Sequence, residues 1–250
     1  VATTIGRSCG VLYLCWNFFR KEGSLAVALP DLRPVRGVIM GILKVSLGGV
    51  GQFLIASLSW VFLVRIVADF GTEAVGGYGV AVRIIIVALL PAWGMANAAA
   101  TLVGQNLGAG QPDRAQRSAW LCGHYNMVFM VLVTVLFWAA APWIASFFDQ
   151  GPEADGHTIL AMRVISLGYF FYGYGMVLSQ ALNGAGDSLT PTWLNVICFW
   201  AMEIPMAYLL AITFGLGPLG VFASVAICES VLAILSAVVF QRGRWKQVKV

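Results

Sequence analysis

Two glutamates stand in stretches that otherwise leave little room for charge. Glu203 lies near the middle of an apolar run, two residues before Pro205, and Glu229 lies centrally in the last such run. A carboxyl in these surroundings can serve as a relay for a proton or for Na⁺. The competing chemistry is structural: an ion pair with Arg83 or Arg163 that fixes how neighbouring segments pack. Both readings stand for Glu203, and for Glu229 the ion pair is the simpler one. Such charges need a reason, since each costs about 2.5 to 3.5 kcal/mol at the centre of a membrane helix on insertion scales. Arg7, Arg83 and Arg163 fall under the same rule, and pairing with a carboxylate or with broken backbone explains them better than contact with a substrate. Arg65 and Asp69 are spaced i, i+4, so they can pair on one helix face and reach toward water.

A second group is polar but uncharged. Gln52, Tyr172, Gln180 and Asn183 could offer oxygens or a stacking face to a substrate, or could equally be hydrogen-bonding glue between helices, worth about 0.6 to 2 kcal/mol. Trp60, Tyr169, Phe170, Phe171, Tyr172 and Tyr174 are dense enough to line a cavity for planar cations. Gly48, Gly49, Gly51, Gly173 and Gly175 read as sites of close helix contact. His124 and His157 are isolated, with no Cys or carboxylate at ligand spacing, so no metal site is expected. No Ser/His/Asp set or acid pair on a soluble face supports catalysis, and the chain is not expected to be an enzyme. The five cysteines, Cys9, Cys15, Cys122, Cys198 and Cys228, lie in apolar runs without CxxC spacing and read as buried thiols.

The elements that must hold these groups are set by composition. Of 250 residues 60% are apolar and 10% charged, against roughly a quarter charged in an ordinary soluble domain, which excludes a water-soluble globule. A net charge of +4 does not point to nucleic acid, because the basic residues flank apolar segments and form no aromatic-interleaved patch. Six runs reach the roughly 20 residues that a membrane helix needs: Val45 to Ala68, Val75 to Val103, Ser118 to Phe148, His157 to Asn183, Pro191 to Phe214 and Leu219 to Phe240. A seventh, Val1 to Phe19, is just long enough. Without water to satisfy exposed backbone, all must be helices, and the fold class is an all-α polytopic bundle.

Lys and Arg set the orientation. Arg20, Lys21, Arg33, Arg36 and Lys44 surround the first connection, Arg114 and Arg117 the third, and Arg242, Arg244, Lys246 and Lys249 the tail; Asp69, Glu73, Asp149, Glu153 and Asp155 mark alternate loops. The basic loops and the C-terminus are therefore expected on the cytoplasmic side of a plasma (inner) membrane, and the start of the chain on the outer side. Val1 lies in an apolar stretch with no initiating Met, so the chain is expected to begin partway through a longer protein. Ala2 to Phe19 aligns weakly with Ala223 to Phe240, as if each closed one half of a duplicated protein.

Two glycine clusters punctuate the runs. Gly104-Gln105-Asn106-Leu107-Gly108-Ala109-Gly110-Gln111-Pro112-Asp113-Arg114-Ala115 comes after a membrane helix rather than a strand and fits neither phosphate-binding fingerprint, so it reads as a tight turn with Asp113 starting the next helix. Asn183-Gly184-Ala185-Gly186-Asp187-Ser188-Leu189-Thr190-Pro191 breaks one helix and begins another, with Asp187 or Ser188 as the cap. These runs, with Gly71-Thr72-Glu73-Ala74 and the closing Gly243-Arg244-Trp245-Lys246, resemble in order and spacing the second half of the multidrug and toxic compound extrusion (MATE) family.

The resemblance implies a twelve-helix antiporter of two six-helix lobes that rock about a central cavity, exporting drugs or organic cations in exchange for Na⁺ or H⁺, with no other cofactor. Residues 1–20 would be the last helix of the first lobe, 21–44 a cytoplasmic linker, 45–240 the complete second lobe and 241–250 a basic tail. Partners would be small-molecule substrates, the bilayer and the missing N-terminal lobe, with no nucleic acid. In several branches of the family, coupling carboxylates fall at places that Ser57-Leu58-Ser59-Trp60 and Gly186-Asp187-Ser188 put near Gln52 and Tyr172. Neither is acidic, which shifts the expected coupling site toward the missing lobe. The candidate substrate and ion residues are thus Gln52, Tyr172, Gln180, Asn183, Glu203, Glu229 and Arg83. A lipid-linked oligosaccharide flippase is the alternative, and it would need a more cationic cavity.

Overall fold

The computed structural model describes residues 2–19 and 34–247. Arg20, Lys21, Arg33 and Lys249, used above for orientation, lie outside the described residues. The helices are α1 (Ala2–Phe19), α2 (Arg36–Ala68), α3 (Thr72–Gly108), α4 (Pro112–Ser146), α5 (Pro152–Ser166), α6 (Tyr169–Gly184), α7 (Leu189–Thr213) and α8 (Pro218–Gln241), with a 3₁₀ turn at Arg244–Gln247 after the last. Among the described residues five of them, α2, α3, α4, α7 and α8, are long and apolar enough to cross a membrane, and α5 with α6 make a further crossing bent by 62°. With such helices the chain is an integral membrane protein.

The chain divides into two compact units, Val1–Ser46 and Leu47–Val250. In the first, α1 is 18 residues long, about 27 Å at 1.5 Å per residue. Its described side chains are all exposed, Arg7, Cys9 and Cys15 included. The expectation of five buried thiols therefore holds for Cys198 and Cys228, with Cys122 half-buried, and fails for the two on α1.

In the second unit α6 is the centre, and small residues put it there. A Cβ on Gly173 would meet the Met127 Cα on α4 at 2.8 Å, and one on Gly175 would meet the Ala233 Cα on α8 at 2.8 Å. Only hydrogen at those positions lets the backbones come so close. Asn126 fixes the first contact by donating from Nδ2 to the Gly173 carbonyl at 2.9 Å. The core below runs through Leu63, Tyr78, Met130, Phe137, Met162 and Phe222.

The His157 to Asn183 run, read above as one helix, is broken at Leu167 and Gly168. Their N–H groups turn back to Val164 and Ile165 in tighter i−3 bonds. The carbonyls freed by the break find partners on α4: Thr134 Oγ1 donates to the Ser166 carbonyl at 2.9 Å and Trp138 Nε1 to the Arg163 carbonyl at 3.2 Å. Pro205 sits in a continuous α7 that widens into π-helical turns over Val196–Glu203 and Leu209–Thr213. There the Ile204 N–H reaches back five residues to the Phe199 carbonyl. A π turn of this kind absorbs the donor that proline lacks without breaking the rod.

At one end of this unit lie the turns at 109–111 and 185–188 and the residues after α8. Asp187 holds the start of α7, its Oδ1 accepting the Thr190 N–H at 3.1 Å and its Oδ2 the Thr190 hydroxyl at 2.6 Å. The described residues after α8 fold back on the bundle. Gly243, at φ 72°, ends α8 and returns the chain so that Trp245 is 1% exposed, stacked on Phe240 at 4.6 Å. Lys246 then reaches Asp113 at 3.0 Å.

Candidate functional site

Most of the polar candidates border two of the cavities in the second unit. The larger, about 440 Å³, is walled by α2, α3, α6, α7 and α8; Gln52, Tyr172, Gln180, Asn183 and Glu229 all line it. These five come from three different apolar runs, and they converge. The remaining wall is aromatic and aliphatic, with Phe53, Trp93, Met176 and Phe199. No Lys, Arg or His borders this cavity among the described residues.

The amides are not idle. Gln52 Nε2 donates to Asn183 Oδ1 at 3.0 Å and to the Ser188 carbonyl at 3.2 Å, Asn183 Nδ2 returns a bond to Gln52 Oε1 at 3.2 Å, and it also donates to Gln180 Oε1 at 3.0 Å. The reciprocal pair ties α2 to α6 at the end of the bundle that carries Asp187. Thr192 strengthens the tie, donating from its hydroxyl to the Gly48 carbonyl at 3.2 Å. Gluing helices and facing a cavity are therefore one role here, not two.

A smaller inner cavity, about 50 Å³, sits against the α5–α6 break and is lined by Trp60, Tyr78, Tyr169, Tyr172, Glu229 and apolar residues. Tyr172 and Glu229 border both spaces. Tyr78 is held by a near-parallel stack on Phe222 at 5.6 Å. Of the aromatics expected to line a cavity, Trp60, Tyr169 and Tyr172 do so. Phe170 and Phe171 are exposed, and Tyr174 packs on α4 against Trp120 and His124.

Glu203 borders neither cavity. It is 1% exposed, and its Oε2 accepts a hydrogen bond from Ser59 Oγ at 2.7 Å. Neither embedded glutamate has the Arg83 or Arg163 partner that a packing ion pair requires. Arg83 is exposed on α3, away from the lining of both cavities. Arg163 is committed to α4, its Nη2 donating to the Trp138 carbonyl at 3.1 Å and its guanidinium lying 5.9 Å from the Trp138 ring. The broken-backbone explanation of Arg163 is thus the one that holds, and the ion-pair explanation of the glutamates is corrected. Arg65 and Asp69 do pair, at 3.6 Å and largely exposed.

Trp93 and Asn195 line the larger cavity and Ser59 anchors Glu203, and sequence reasoning named none of the three as a site residue. Asn195 carried the same signal as Gln180, an amide inside an apolar run. Trp93 and Ser59 carried none of their own.

The chain is similar to proteins of known family. Residues 50–209 match the MatE family model. The chain is 25% identical over 250 residues to the probable multidrug resistance protein NorM of Thermotoga maritima, covering 99% of this chain and 53% of that protein. It is 25% identical over 208 residues to the probable multidrug resistance protein YpnP of Bacillus subtilis, covering 83% and 46%. The chain spans about half the length of the curated relatives it matches. Among solved structures, a MOP superfamily transporter from Pyrococcus furiosus superposes with a TM-score of 0.86 at 22% identity, over 94% of this chain and 53% of that one. The MATE transporter ClbM in complex with Rb⁺ superposes with a TM-score of 0.78 at 21% identity, over 84% and 50%.

Proposed function

Because the chain belongs to the MatE family, we propose that it supplies the second lobe of a secondary antiporter that exports drugs or organic cations in exchange for Na⁺ or H⁺. Residues 45–240 form that lobe, 1–20 the last helix of the first, 21–44 the linker and 241–250 the tail, with the basic end of the bundle facing the cytoplasm of the inner membrane. One observation carries the substrate reading: a cavity of about 440 Å³, within the roughly 300–1,000 Å³ range of small-molecule sites, is walled by aromatics, ringed by amides and charged only by Glu229. That lining suits an apolar cation and is of the wrong sign for a pyrophosphate-bearing lipid, which disfavours a flippase.

Glu203 is the second part of the proposal. Its buried carboxyl is held by one hydroxyl on α2 and sits in a π-helical stretch of α7, where it can change partner as the lobe moves. The test uses the full-length protein in proteoliposomes with an imposed Na⁺ or pH gradient and a fluorescent organic cation. Wild-type protein is expected to drive efflux that collapses when the gradient is removed, and Glu203→Gln to lower the coupled rate at least about tenfold. Gradient-independent movement of the cation would overturn the antiporter reading, and unchanged efflux in Glu203→Gln would remove that residue from the mechanism.

A further inference from the structure

Arg114, Arg117, Arg242, Arg244 and Lys246 stand where α4 begins and α8 ends, and the docked tail brings them together. Trp245 is buried in the cluster that holds Ala115 and Ala119 of α4, so Arg244 beside it and Arg114 beside Ala115 are kept at one end of the bundle. Trp120 of α4 meets Phe240 of α8 edge-on at 6.3 Å, which joins the two helices just below. Lys246 then closes on Asp113 at 3.0 Å.

That ion pair decides which charges remain. Asp113 and Arg117 are spaced i, i+4 and could pair along α4, but the carboxylate is taken by Lys246 from the tail. Arg114 donates from Nη1 only to the neutral Oε1 of Gln111, at 3.3 Å. Asp187, the other described acid at this end, has both oxygens on Thr190. Arg114, Arg117, Arg242 and Arg244 are all exposed, and none has a carboxylate within 4 Å among the described residues. Four like charges held on an ordered backbone attract anions.

The surface beneath the arginines chooses among anions. Arg114, Arg117, Leu121, Val128, Leu132 and Val135 recur at intervals of three, four and seven residues, so they share one face of α4, and every one of them is exposed. Arg242, Val238, Ile234 and Ile227 repeat the pattern along α8. A helix face with arginine at its end and aliphatic side chains along the rest has the polarity of a phospholipid lying against it. A soluble anion gains nothing from the aliphatic part.

We propose that the start of α4 and the docked tail form a binding surface for anionic phospholipids, with the headgroup phosphate on Arg114, Arg117, Arg242 and Arg244 and the acyl chains along the exposed stripes of α4 and α8. Lys246 and Asp113 neutralise each other and hold the tail in place. None of these residues lines either cavity described above, and the surface stands apart from the antiporter reading.

The test is native mass spectrometry of the purified, delipidated full-length protein in detergent, titrated with dioleoyl phosphatidylglycerol or dioleoyl phosphatidylcholine. The chains are the same and only the headgroup charge differs. Wild type is expected to bind phosphatidylglycerol at least about tenfold more tightly. An arginine near an anionic headgroup layer is worth about fivefold, so Arg114→Gln combined with Arg244→Gln should weaken phosphatidylglycerol about twenty-five-fold and leave phosphatidylcholine unchanged. Asp113→Asn should tighten phosphatidylglycerol by up to about fivefold, whereas a merely structural role for Asp113 would weaken it. Arg65→Gln, in the last turn of α2 at the opposite end of the bundle, should change nothing. Thermal unfolding checks that each variant is folded, and Arg117→Gln with Arg242→Gln replaces the first pair if that pair is not. Equal affinity for the two lipids, wild-type affinity in the folded double variants, an equal loss in Arg65→Gln or a loss in Asp113→Asn overturns the surface. Inorganic phosphate should not displace the lipid; displacement would assign the arginines to a free anion and overturn the lipid reading.

Discussion

The end of the chain offers the sharpest test of what holds the bundle closed. Trp245 and Lys246 both dock the last turn, but by contacts of very different strength. Trp245 is 1% exposed, stacks on Phe240 at 4.6 Å and 14°, and donates from Nε1 to the Phe240 carbonyl at 2.7 Å, which also accepts the Gly243 N–H at 3.2 Å. It belongs to one buried cluster with Val103 of α3, Ala115 and Ala119 of α4, and Leu178 and Leu182 of α6. Replacing so deeply buried a tryptophan with alanine costs about 3–5 kcal/mol. The Lys246–Asp113 pair, with Asp113 96% exposed, is worth about 0.2–1 kcal/mol. Trp245→Ala should therefore raise the open population of the tail by more than about a hundredfold, and Asp113→Asn by no more than about fivefold. Trp245→Phe, which keeps the stack and loses the indole donor, should fall between, at about 0.5–1.5 kcal/mol. Limited trypsin digestion of the full-length protein reads this directly, because Arg242, Arg244 and Lys246 stand in the docked segment and cleavage tracks the open fraction when reclosing is fast. If Asp113→Asn speeds cleavage as much as Trp245→Ala, or Trp245→Ala is cut at the wild-type rate, the docking is electrostatic or absent and the reasoning fails.

Gly175→Ala sets helix propensity against packing: alanine gains about 1 kcal/mol in the helix but its Cβ would meet the Ala233 Cα at 2.8 Å, for a cost of about 1–3 kcal/mol, so the detergent melting temperature should drop. Gly156→Ala, on an exposed helical position with nothing within 4 Å of the added carbon, should raise it by the propensity gain alone. A double-mutant cycle of Gln52→Ala and Asn183→Ala should give a coupling of about 0.6–2 kcal/mol in thermal stability, and additive losses would show that the amide pair does not tie α2 to α6.

The spans were legible because the bilayer imposes a length that apolar runs either meet or miss, and six of the seven runs correspond to α2, α3, α4, the α5–α6 pair, α7 and α8. The break at Leu167 was not, because its cause lies elsewhere in the chain. Nothing between His157 and Asn183 forbids a continuous helix, and the groups that satisfy the freed carbonyls, Thr134 and Trp138, sit about 30 residues earlier on α4. The site was half legible for a similar reason. A polar residue in an apolar run announces itself, which is why Gln52, Gln180, Asn183 and Glu229 could be named and did converge on one cavity. Arg83 announced itself equally and stands elsewhere, since a single position on a 37-residue helix does not say which face it occupies.

Glu203 shows why facing is the hard step. An α-helix turns 100° per residue, so a proline at 205 fixes the face of Glu203 only if the turns between are regular. They are not, because α7 is π-helical from Val196 to Glu203, and the wider turns carry an extra residue that rotates the later side chains relative to an ideal helix. In the observed register the carboxyl meets Ser59 on α2, while Phe199 and Asn195, one and two turns earlier, face the larger cavity. Restoring one regular α turn would shift the glutamate around the helix and away from that hydroxyl. A residue whose partner depends on so local a winding is suited to exchanging partners. That is a physical reason, independent of its charge, behind the proposal that Glu203 changes partner.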